Sequence, residues 1–483
     1  MTRQTRTPTL FESLIPIIVL VLLLTLNVFI FSDDATYGSN QLALLFAATV
    51  GALLAARQGF KWQALLDGII KSISSAMAAI LILMMIGALA GTWLISGIVP
   101  ALIYYGLDIL NPTIFLFAAV VVSAIVSLAT GSSWTTAATV GIALVGIGQA
   151  MGIYEGLVAG AIISGAYFGD KMSPMSDTTN LAPAMAGTDL FTHIRYMTLT
   201  TVPSISITLL IFLIWGFTLD SSSKMDSILV VQEAIAAKFT INIWLFLVPA
   251  IVIGMIVKKI PALPALLTGT ILGGGMAIIF QPDIVLGIAG TTEANFFTFY
   301  EGVVRAMYSE TTIVTGHAMV DKLLSAGGMF GMMNTIWLII CAMIFGGVME
   351  TSGMLERMAS SIVSFAHSTG SLVASTAVTC GFINITASDQ YISIVVPGRM
   401  FAKTYRDRGL APENLSRTLE DSGTVTSVLV PWNTCGAYQA GVLGVATFTY
   451  LPFAFFNLIS PAMTIFFAAA GIKIKKLKQD AAT

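Results

Sequence analysis

Long apolar runs recur from one end of this chain to the other, and they constrain its fold more than any other feature. Each run is close to the roughly 18 to 20 residues that cross a bilayer core as a helix. Of the 483 residues, 56% are hydrophobic and 10% are charged, which predicts an all-α polytopic membrane protein. The eight plainest spans lie at about 12–31, 40–57, 76–96, 196–217, 241–258, 261–280, 332–350 and 447–470.

Several function classes are excluded by composition and motif. The net charge is −2 and no basic domain is present, so we expect no nucleic-acid partner. The three cysteines stand alone without ligand spacing, and the chain has no zinc-protease motif or nucleotide-binding loop. We therefore expect neither an enzyme nor a protein with a cofactor. A passive channel also fits poorly, because duplicated interruptions suit alternating access better than a pore.

Two apolar regions, 111–188 and 371–446, are repeatedly interrupted by Gly, Ser, Thr, Pro and acids, and the interruptions repeat. The matched positions stand 256 to 258 residues apart over about 80 residues, which indicates a duplicated unit. The matches are Ser96-Gly97 with Ser352-Gly353, Thr130 with Thr386, Glu155 with Glu413, Ser164-Gly165 with Ser422-Gly423, and Pro174 with Pro431.

Loop charge predicts that the two units are inverted. The connector 146–154 has no basic residue, whereas its counterpart in the second unit has four, so the two connectors should face opposite sides of the membrane. Basic residues also place both termini in the cytoplasm. They are Arg3, Arg6, Arg57, Lys61 and Lys71 near the first spans, and Lys473, Lys475, Lys476 and Lys478 at the end.

The resulting architecture has about ten membrane-spanning helices, two re-entrant hairpins and two broken helices. Residues 1–220 form the first inverted repeat, with a hairpin at about 112–147 and a broken helix at about 154–188. Residues 221–483 form the second, with a hairpin at about 371–402 and a broken helix at about 410–446. Residues 62–73 and 297–307 have helical apolar spacing among charges, so we expect them to lie along the membrane surface.

Paired breaks at membrane depth point to a binding site, because unpaired backbone groups are tolerated there only when buried in protein or beside water. Acids dominate the broken motifs, which favours a cation. Those acids are Asp170, Asp177, Asp389, Glu420 and Asp421, against Lys171 as the obvious base. Oxygen-bearing side chains that suit a hard ion stand at the breaks (Ser173, Thr178, Asn433) and at the hairpin tips (Thr130, Ser132, Ser133, Thr386, Ser388).

Some of these residues also have plain structural interpretations. Asp170 and Lys171 can form a local ion pair that stabilises the break without contacting an ion. Glu420 and Asp421 cannot both point into one site from a regular helix, so one of them should serve as a partner of another helix. A buried carboxylate nevertheless suits exchange, because a proton and Na+ compete for the same oxygens.

The segments SGAYFGDKMSPMSDTTNLAPAMAGTDLFTHIRYM (164–197) and EDSGTVTSVLVPWNTCGA (420–437) closely resemble the signature segments of the NhaC family of bacterial sodium/proton antiporters. The NhaC family belongs with the ion-transporter superfamily, whose members resemble the architecture described above. The resemblance therefore implies inverted repeats and a moving transport part, often within a homodimer. The resemblance implies Na+ and H+ as the exchanged ions. By motif position it implies Asp170, Asp177, Glu420, Asp421 and Asn433 as candidates, with Na+ expected at Asp170, Asp177 and Asn433.

Two transport functions remain open on the sequence. The first is exchange of Na+ for H+ alone. The second is transport of a small carboxylate or amino acid coupled to Na+ or H+, since relatives in this family exchange organic acids such as malate and lactate. Lys171 or the TGSSWTT tip (130–136) then offers a place for the carboxylate of that solute.

Overall fold

The computed structural model describes residues 6–31, 37–109, 111–219, 225–363 and 367–477. Arg3 and Lys478, which contributed to the predicted orientation, lie outside these ranges. The described residues form helices almost throughout, with one two-stranded antiparallel sheet of β1 (Thr311–Thr312) and β2 (Ser325–Ala326).

The α-helices of the first half follow one another with short connections. They are α1 (Leu10–Phe31), α2 (Ser39–Arg57), α3 (Trp62–Ile95), α4 (Ile98–Ile109), α5 (Pro112–Thr130), α6 (Ser133–Thr136), α7 (Ile142–Ala150), α8 (Glu155–Met172), α9 (Asp177–Ala186) and α10 (Leu190–Thr218). A π-helical turn, Ala137–Gly141, joins α6 to α7.

The second half has fourteen further α-helices among the described residues. They are α11 (Met225–Lys238), α12 (Leu247–Val257), α13 (Ala262–Phe280), α14 (Pro282–Ala289), α15 (Phe296–Tyr308), α16 (Ala318–Leu323), α17 (Gly328–Thr351), α18 (Met354–Val363), α19 (Thr369–Thr386), α20 (Ile392–Asp407), α21 (Pro412–Leu419), α22 (Thr434–Leu443), α23 (Thr447–Tyr450) and α24 (Phe455–Ala469). A π-helical segment, Glu420–Thr424, follows α21 directly.

The prediction of an all-α polytopic membrane protein is confirmed. Among the described residues, seven helices are long and apolar enough to cross a bilayer, and up to nine spans result if two bent pairs count as one span each. The bends are 94° between residues 228–238 and 243–257 and 55° between 447–453 and 455–469. The count of ten spans and the inverted relation of the repeats stay predictions.

One boundary differs from the sequence-based expectation. Residues 62–73 do not form a separate surface helix, because α3 runs without interruption from Trp62 to Ile95. At 1.5 Å per residue a helix of 34 residues is about 50 Å long, which exceeds a bilayer core of about 30 Å. We therefore expect the amphipathic start of α3 to extend beyond the apolar layer as part of the same continuous helix.

Close packing of α5 against α8 holds the first interrupted region together. A Cβ added to Gly165 would lie 2.2 Å from the carbonyl oxygen of Val120, and one added to Gly169 would lie 2.4 Å from that of Ala124. Ser127 Oγ donates to the carbonyl of Ala166 at 2.5 Å. Glycine on this face of α8 thus permits a backbone approach that fixes α8 relative to the first helix pair, which consists of α5 and the returning run α6–α7 (residues 112–150).

Candidate functional site

A cavity of about 620 Å³ lies where the interrupted segments of both halves meet. Its wall includes residues at the tips of both helix pairs: 130–135 in the first pair, and 389–391 in the second pair, which α19 and α20 form. The break between α8 and α9 and the start of α22 also contribute. The rest of the wall comes from α3 and from the end of α12, the α12–α13 connection and the start of α13. Three carboxylates line it: Asp170, Asp177 and Asp389.

Asp170 lies in the last turn of α8 and is 7% exposed. Its Oδ2 accepts a hydrogen bond from Ser133 Oγ at 2.7 Å and another from the Ser133 backbone N at 3.1 Å. Hydrogen bonds to a charged group are among the strong ones. The tip of the first helix pair therefore holds this carboxylate in place at the cavity wall.

The break after α8 has a local cause. Ser173 adopts an extended conformation before Pro174, as is usual for a residue that precedes proline. The chain restarts as α9 at Asp177, which is exposed toward the cavity. Thr178, the next residue, also lines the cavity. The Ser-Pro sequence thus creates the gap that brings two acids of one broken helix to the same space.

Asp389 belongs to the tip between α19 and α20 and is 3% exposed. Its Oδ1 accepts a hydrogen bond from the backbone N of Ile392 at 2.9 Å. The preceding Ser388 has a φ of 60°, in the left-handed region that is uncommon for residues other than glycine. The carbonyl of Ser388 accepts from the backbone N of Thr434 at 3.0 Å, which ties this tip to the start of α22.

Asp421 lies away from the cavity wall and forms a fully buried ion pair with Lys171. Ser460 Oγ donates to Asp421 Oδ1 at 3.1 Å and Thr200 Oγ1 donates to Oδ2 at 2.8 Å. Lys171 Nζ also lies 5.5 Å from the ring centre of Phe456. Lys171 thus pairs with an acid of the second half instead of its neighbour Asp170.

Glu420 is fully buried beside this pair. Its Oε1 accepts a hydrogen bond from Thr178 Oγ1 at 3.0 Å, and Thr178 Oγ1 lies 3.1 Å from Ser176 Oγ. Glu420 does not line the cavity, but Ser176 and Thr178 do. A single hydroxyl therefore links the cavity to a buried acid in the π-helical segment of the other half.

Asn433 caps α22 and joins the second break to the second helix pair. Its Oδ1 accepts from the backbone N of Cys435 at 3.0 Å, and its Nδ2 donates to Asn384 Oδ1 at 3.1 Å. Asn384 in turn donates to the carbonyl of Gly423 at 2.7 Å. Asn433 does not line the cavity; it lies next to Thr434, which does.

Some of the remaining predicted site residues line the cavity, and others form hydrogen bonds with nearby backbone without lining it. Thr130 and Ser132 line the cavity, and Ser132 also caps α6 by accepting from the backbone N of Thr135. Ser173 donates to the carbonyl of Leu128 at 2.9 Å. Thr386 donates to a carbonyl of its own helix, and Ser388 Oγ has no hydrogen-bond partner among the described residues.

Sequence reasoning missed several residues of the wall. They are chiefly Ser75, Trp134, Lys259, Gln390 and Tyr391. Lys259 faces the cavity from the connection between α12 and α13 and has a φ of 65°. Trp134 and Gln390 lie inside the segments that were singled out, so their motif position was the available signal. Ser75 and Lys259 lie in unremarkable segments that only the tertiary fold brings here.

The cation chemistry of the wall is that of oxygen donors. Within the ranges that the structure describes, no three His, Cys, Asp or Glu side chains are grouped so that they could hold a metal ion by themselves. Carboxylate and hydroxyl oxygens suit a hard ion such as Na+.

Comparison with known proteins adds the relationship of the whole chain. The profile described as the Na+/H+ antiporter family matches residues 165–472. The Na+/H+ antiporter NhaC of Alkalihalophilus pseudofirmus is 39% identical and aligns over 90% of this chain and 90% of its own. The malate-2H+/Na+-lactate antiporter of Bacillus subtilis is 36% identical and aligns over 97% of this chain and 96% of its own. The arginine/ornithine antiporter ArcD of Halobacterium salinarum is 35% identical and aligns over 97% of this chain and 93% of its own. The chain therefore belongs to the Na+/H+ antiporter family of membrane transporters.

Proposed function

We propose that this chain is a secondary active antiporter that exchanges Na+ for H+ across the bacterial inner membrane by alternating access. The observation that carries the proposal is the convergence of Asp170, Asp177 and Asp389 on one cavity between the two halves of the chain. The NhaC-named relatives support the same ions.

Competition between the two ions follows from the burial of the carboxylates. A bare carboxylate is costly away from water, and either a proton or a sodium ion neutralises it. Asp170 is more than nine-tenths buried, yet it lines the cavity. We propose that H+ and Na+ bind in turn to Asp170 and Asp177, with Asp389 contributing from the other half.

The other candidate acids receive supporting roles in this proposal. Asp421 already has Lys171 as a counter-ion, so a sodium ion there would compete with a covalently tethered cation. Both ends of the Asn433 amide are engaged in hydrogen bonds. Asn433 therefore shapes the wall next to Thr434, and Glu420 responds to the site through Thr178.

Alternating access would arise from movement of the interrupted segments against the rest of the chain. The cavity lies between these segments and a wall formed by α3 and the α12–α13 connection. Relative movement of the two walls would expose Asp170 to one side of the membrane at a time. The inverted repeats, the homodimer and the cytoplasmic position of both termini belong to this proposal as expectations.

Coupled transport of a small carboxylate or amino acid is the second candidate function. A volume of about 620 Å³ equals the liquid share of about 20 water molecules, which is more than one sodium ion requires. Lys259 offers a cation in the same cavity wall, and Trp134 and Tyr391 offer apolar surface. Two relatives are named for organic solutes: malate and lactate in one, arginine and ornithine in the other.

Purified protein in liposomes carrying a pH dye separates the two functions. The first predicts that Na+ alone moves protons, with no further stimulation by malate, lactate, arginine or ornithine. A strict requirement for one of these solutes would replace the first function with the second. Absence of proton movement under every condition would contradict both.

A further inference from the structure

The end of the described chain is docked against the start of α21, outside the cavity. Residues 475–477, called the C-terminal strand here, run antiparallel to 409–411 in the connection that precedes α21, with Leu410 opposite Lys476. Two backbone hydrogen bonds, of 2.8 and 3.0 Å, flank this pair. Asn414 Nδ2 adds a third bond, at 2.6 Å, to the carbonyl of Lys475.

One acid on α21 is engaged by this C-terminal strand. Glu413 is 5% exposed, and its Oε1 forms an ion pair with Lys475 Nζ. Its other oxygen, Oε2, is buried and has no hydrogen-bond partner among the described residues. Only one of the two carboxylate oxygens of Glu413 therefore has a partner among the described residues in this arrangement.

A second cation lies one helical turn further along α21 and has no acidic partner among the residues that the structure describes. Arg417 is fully buried, and none of its three guanidinium nitrogens has a hydrogen-bond partner in the part of the chain that the structure describes. Its Cζ lies 4.8 Å from the ring centre of Tyr196, a cation–π contact that compensates only part of the lost hydration. Residues 413 and 417 have i,i+4 spacing, which places them on one face of α21.

A buried charge without a counter-charge is unfavourable, and so is a buried carboxylate oxygen without a donor. A change of side-chain conformation at Glu413 would relieve both, because i,i+4 neighbours on a helix are within reach of an ion pair. We propose that Glu413 exchanges partners between Lys475 and Arg417, and that the C-terminal strand is a latch that must release for α21 to move during transport.

The position of α21 connects this latch to the candidate site. The helix continues directly into the π-helical segment that carries Glu420 and Asp421, and these acids contact Thr178 and Lys171 of the first half. A shift of α21 therefore reaches two of the contacts that join the halves. The inference rests on the proposed transport function, because transport is its first readout.

A reversible disulfide tests the latch directly. Leu410 and Lys476 form a pair whose flanking backbone bonds are those of a non-hydrogen-bonded antiparallel pair, for which the Cα separation of about 4.5 Å permits a disulfide. The variant Leu410→Cys/Lys476→Cys is oxidised, and Na+-driven proton flux is measured before and after reduction. We expect at least a tenfold loss of flux when the disulfide is formed, with recovery on reduction.

The two single-cysteine variants are the matched controls, and neither should respond to oxidant; the chain's own cysteines, Cys341, Cys380 and Cys435, are buried. Equal flux in the oxidised and reduced double variant would overturn the latch.

Arg417→Gln should lower flux at least fivefold, whereas Arg417→Lys, which keeps a cation for Glu413, should retain most of it. Equal loss in both variants would contradict partner exchange.

Failure of the proposed function has a different result. If the unmodified protein moves no protons with Na+ or with any organic solute, the transport proposal fails while the latch can still be measured. Hydrogen exchange over residues 409–424 should then be faster in the reduced double variant than in the oxidised one at α21 as well as at the strand. Protection confined to the strand would refute coupling to α21.

Discussion

Lys171 of α8 and Asp421 of the π-helical segment form a fully buried ion pair that joins residues 250 positions apart in the chain. Such a pair contributes little net stability over an apolar replacement, but removal of one partner leaves a buried charge uncompensated. Its position makes it a joint between the two halves, because Thr200 and Ser460 bind the same carboxylate from two further helices.

Removal of one partner of this pair should destabilise the protein more than removal of both partners. We expect Lys171→Met to destabilise the protein by about 3 to 5 kcal/mol, and the double variant Lys171→Met/Asp421→Leu to recover a large part of that loss. Thermal unfolding in detergent, followed by intrinsic fluorescence, measures the difference. A double variant as unstable as the sum of the single variants would show that the two charges do not compensate each other.

The hydroxyl of Ser133 should set the affinity of the site for its ion. Ser133→Ala removes a 2.7 Å hydrogen bond to Asp170 and leaves the backbone bond in place. If the Na+-bound carboxylate loses about 1.5 kcal/mol of stabilisation, as expected for a bond to a charged group, the apparent affinity for Na+ falls about tenfold. Thr139→Ala is the control, because that hydroxyl bonds only carbonyls of its own helical turn, and its apparent affinity should be unchanged.

Packing of α8 against α5 predicts a steric effect that is independent of transport chemistry. Gly165→Ala places a methyl group 2.2 Å from the carbonyl oxygen of Val120, so the helices must separate at a cost of about 1 to 3 kcal/mol. Gly254→Ala in α12 has no neighbour within 4 Å and should leave the melting temperature unchanged or slightly higher. Similar melting temperatures for the two variants would contradict the close approach.

A carboxylate on α16 should stabilise the segment 311–326, which contains β1, α16 and β2, in a pH-dependent way. Asp321 accepts hydrogen bonds of 2.6 Å from both the backbone N and Oγ1 of Thr315, and these bonds hold the pKa of Asp321 below its usual 3.8. Because the folded pKa is depressed, this stabilisation is complete above about pH 4 and disappears as pH falls through the folded value. We expect Asp321→Asn to speed hydrogen exchange of residues 311–326 at neutral pH; unchanged exchange would remove the role of the carboxylate.

The interrupted segments were visible in the sequence because helix breaks have local chemical causes. Pro174 disfavours helix at the residue before it, and the gap between α8 and α9 lies there. The helix pairs 112–150 and 369–407 likewise coincide closely with the predicted hairpins, although their course through a membrane stays a prediction.

Partners across the fold were beyond the reach of the sequence. Lys171 stands next to Asp170, and the sequence allowed a local pair between them, yet the fold supplies Asp421 instead. Lys259 and Ser75 carry no motif that marks them as wall residues. The continuity of α3 was also missed, because an amphipathic start and an apolar end look like two elements when hydropathy alone is considered.

The most direct test of the account is Na+-driven proton flux in liposomes containing Asp170→Asn, compared with Asp189→Asn as the matched control. Asp189 is an exposed acid that caps α10 by accepting from the backbone N of Thr192 at 2.9 Å, and asparagine retains that capacity. The account predicts that Asp170→Asn folds normally but loses Na+-driven flux, while Asp189→Asn keeps nearly all of it. Normal flux in the Asp170→Asn protein would contradict the central claim that this carboxylate binds Na+ and H+ in competition.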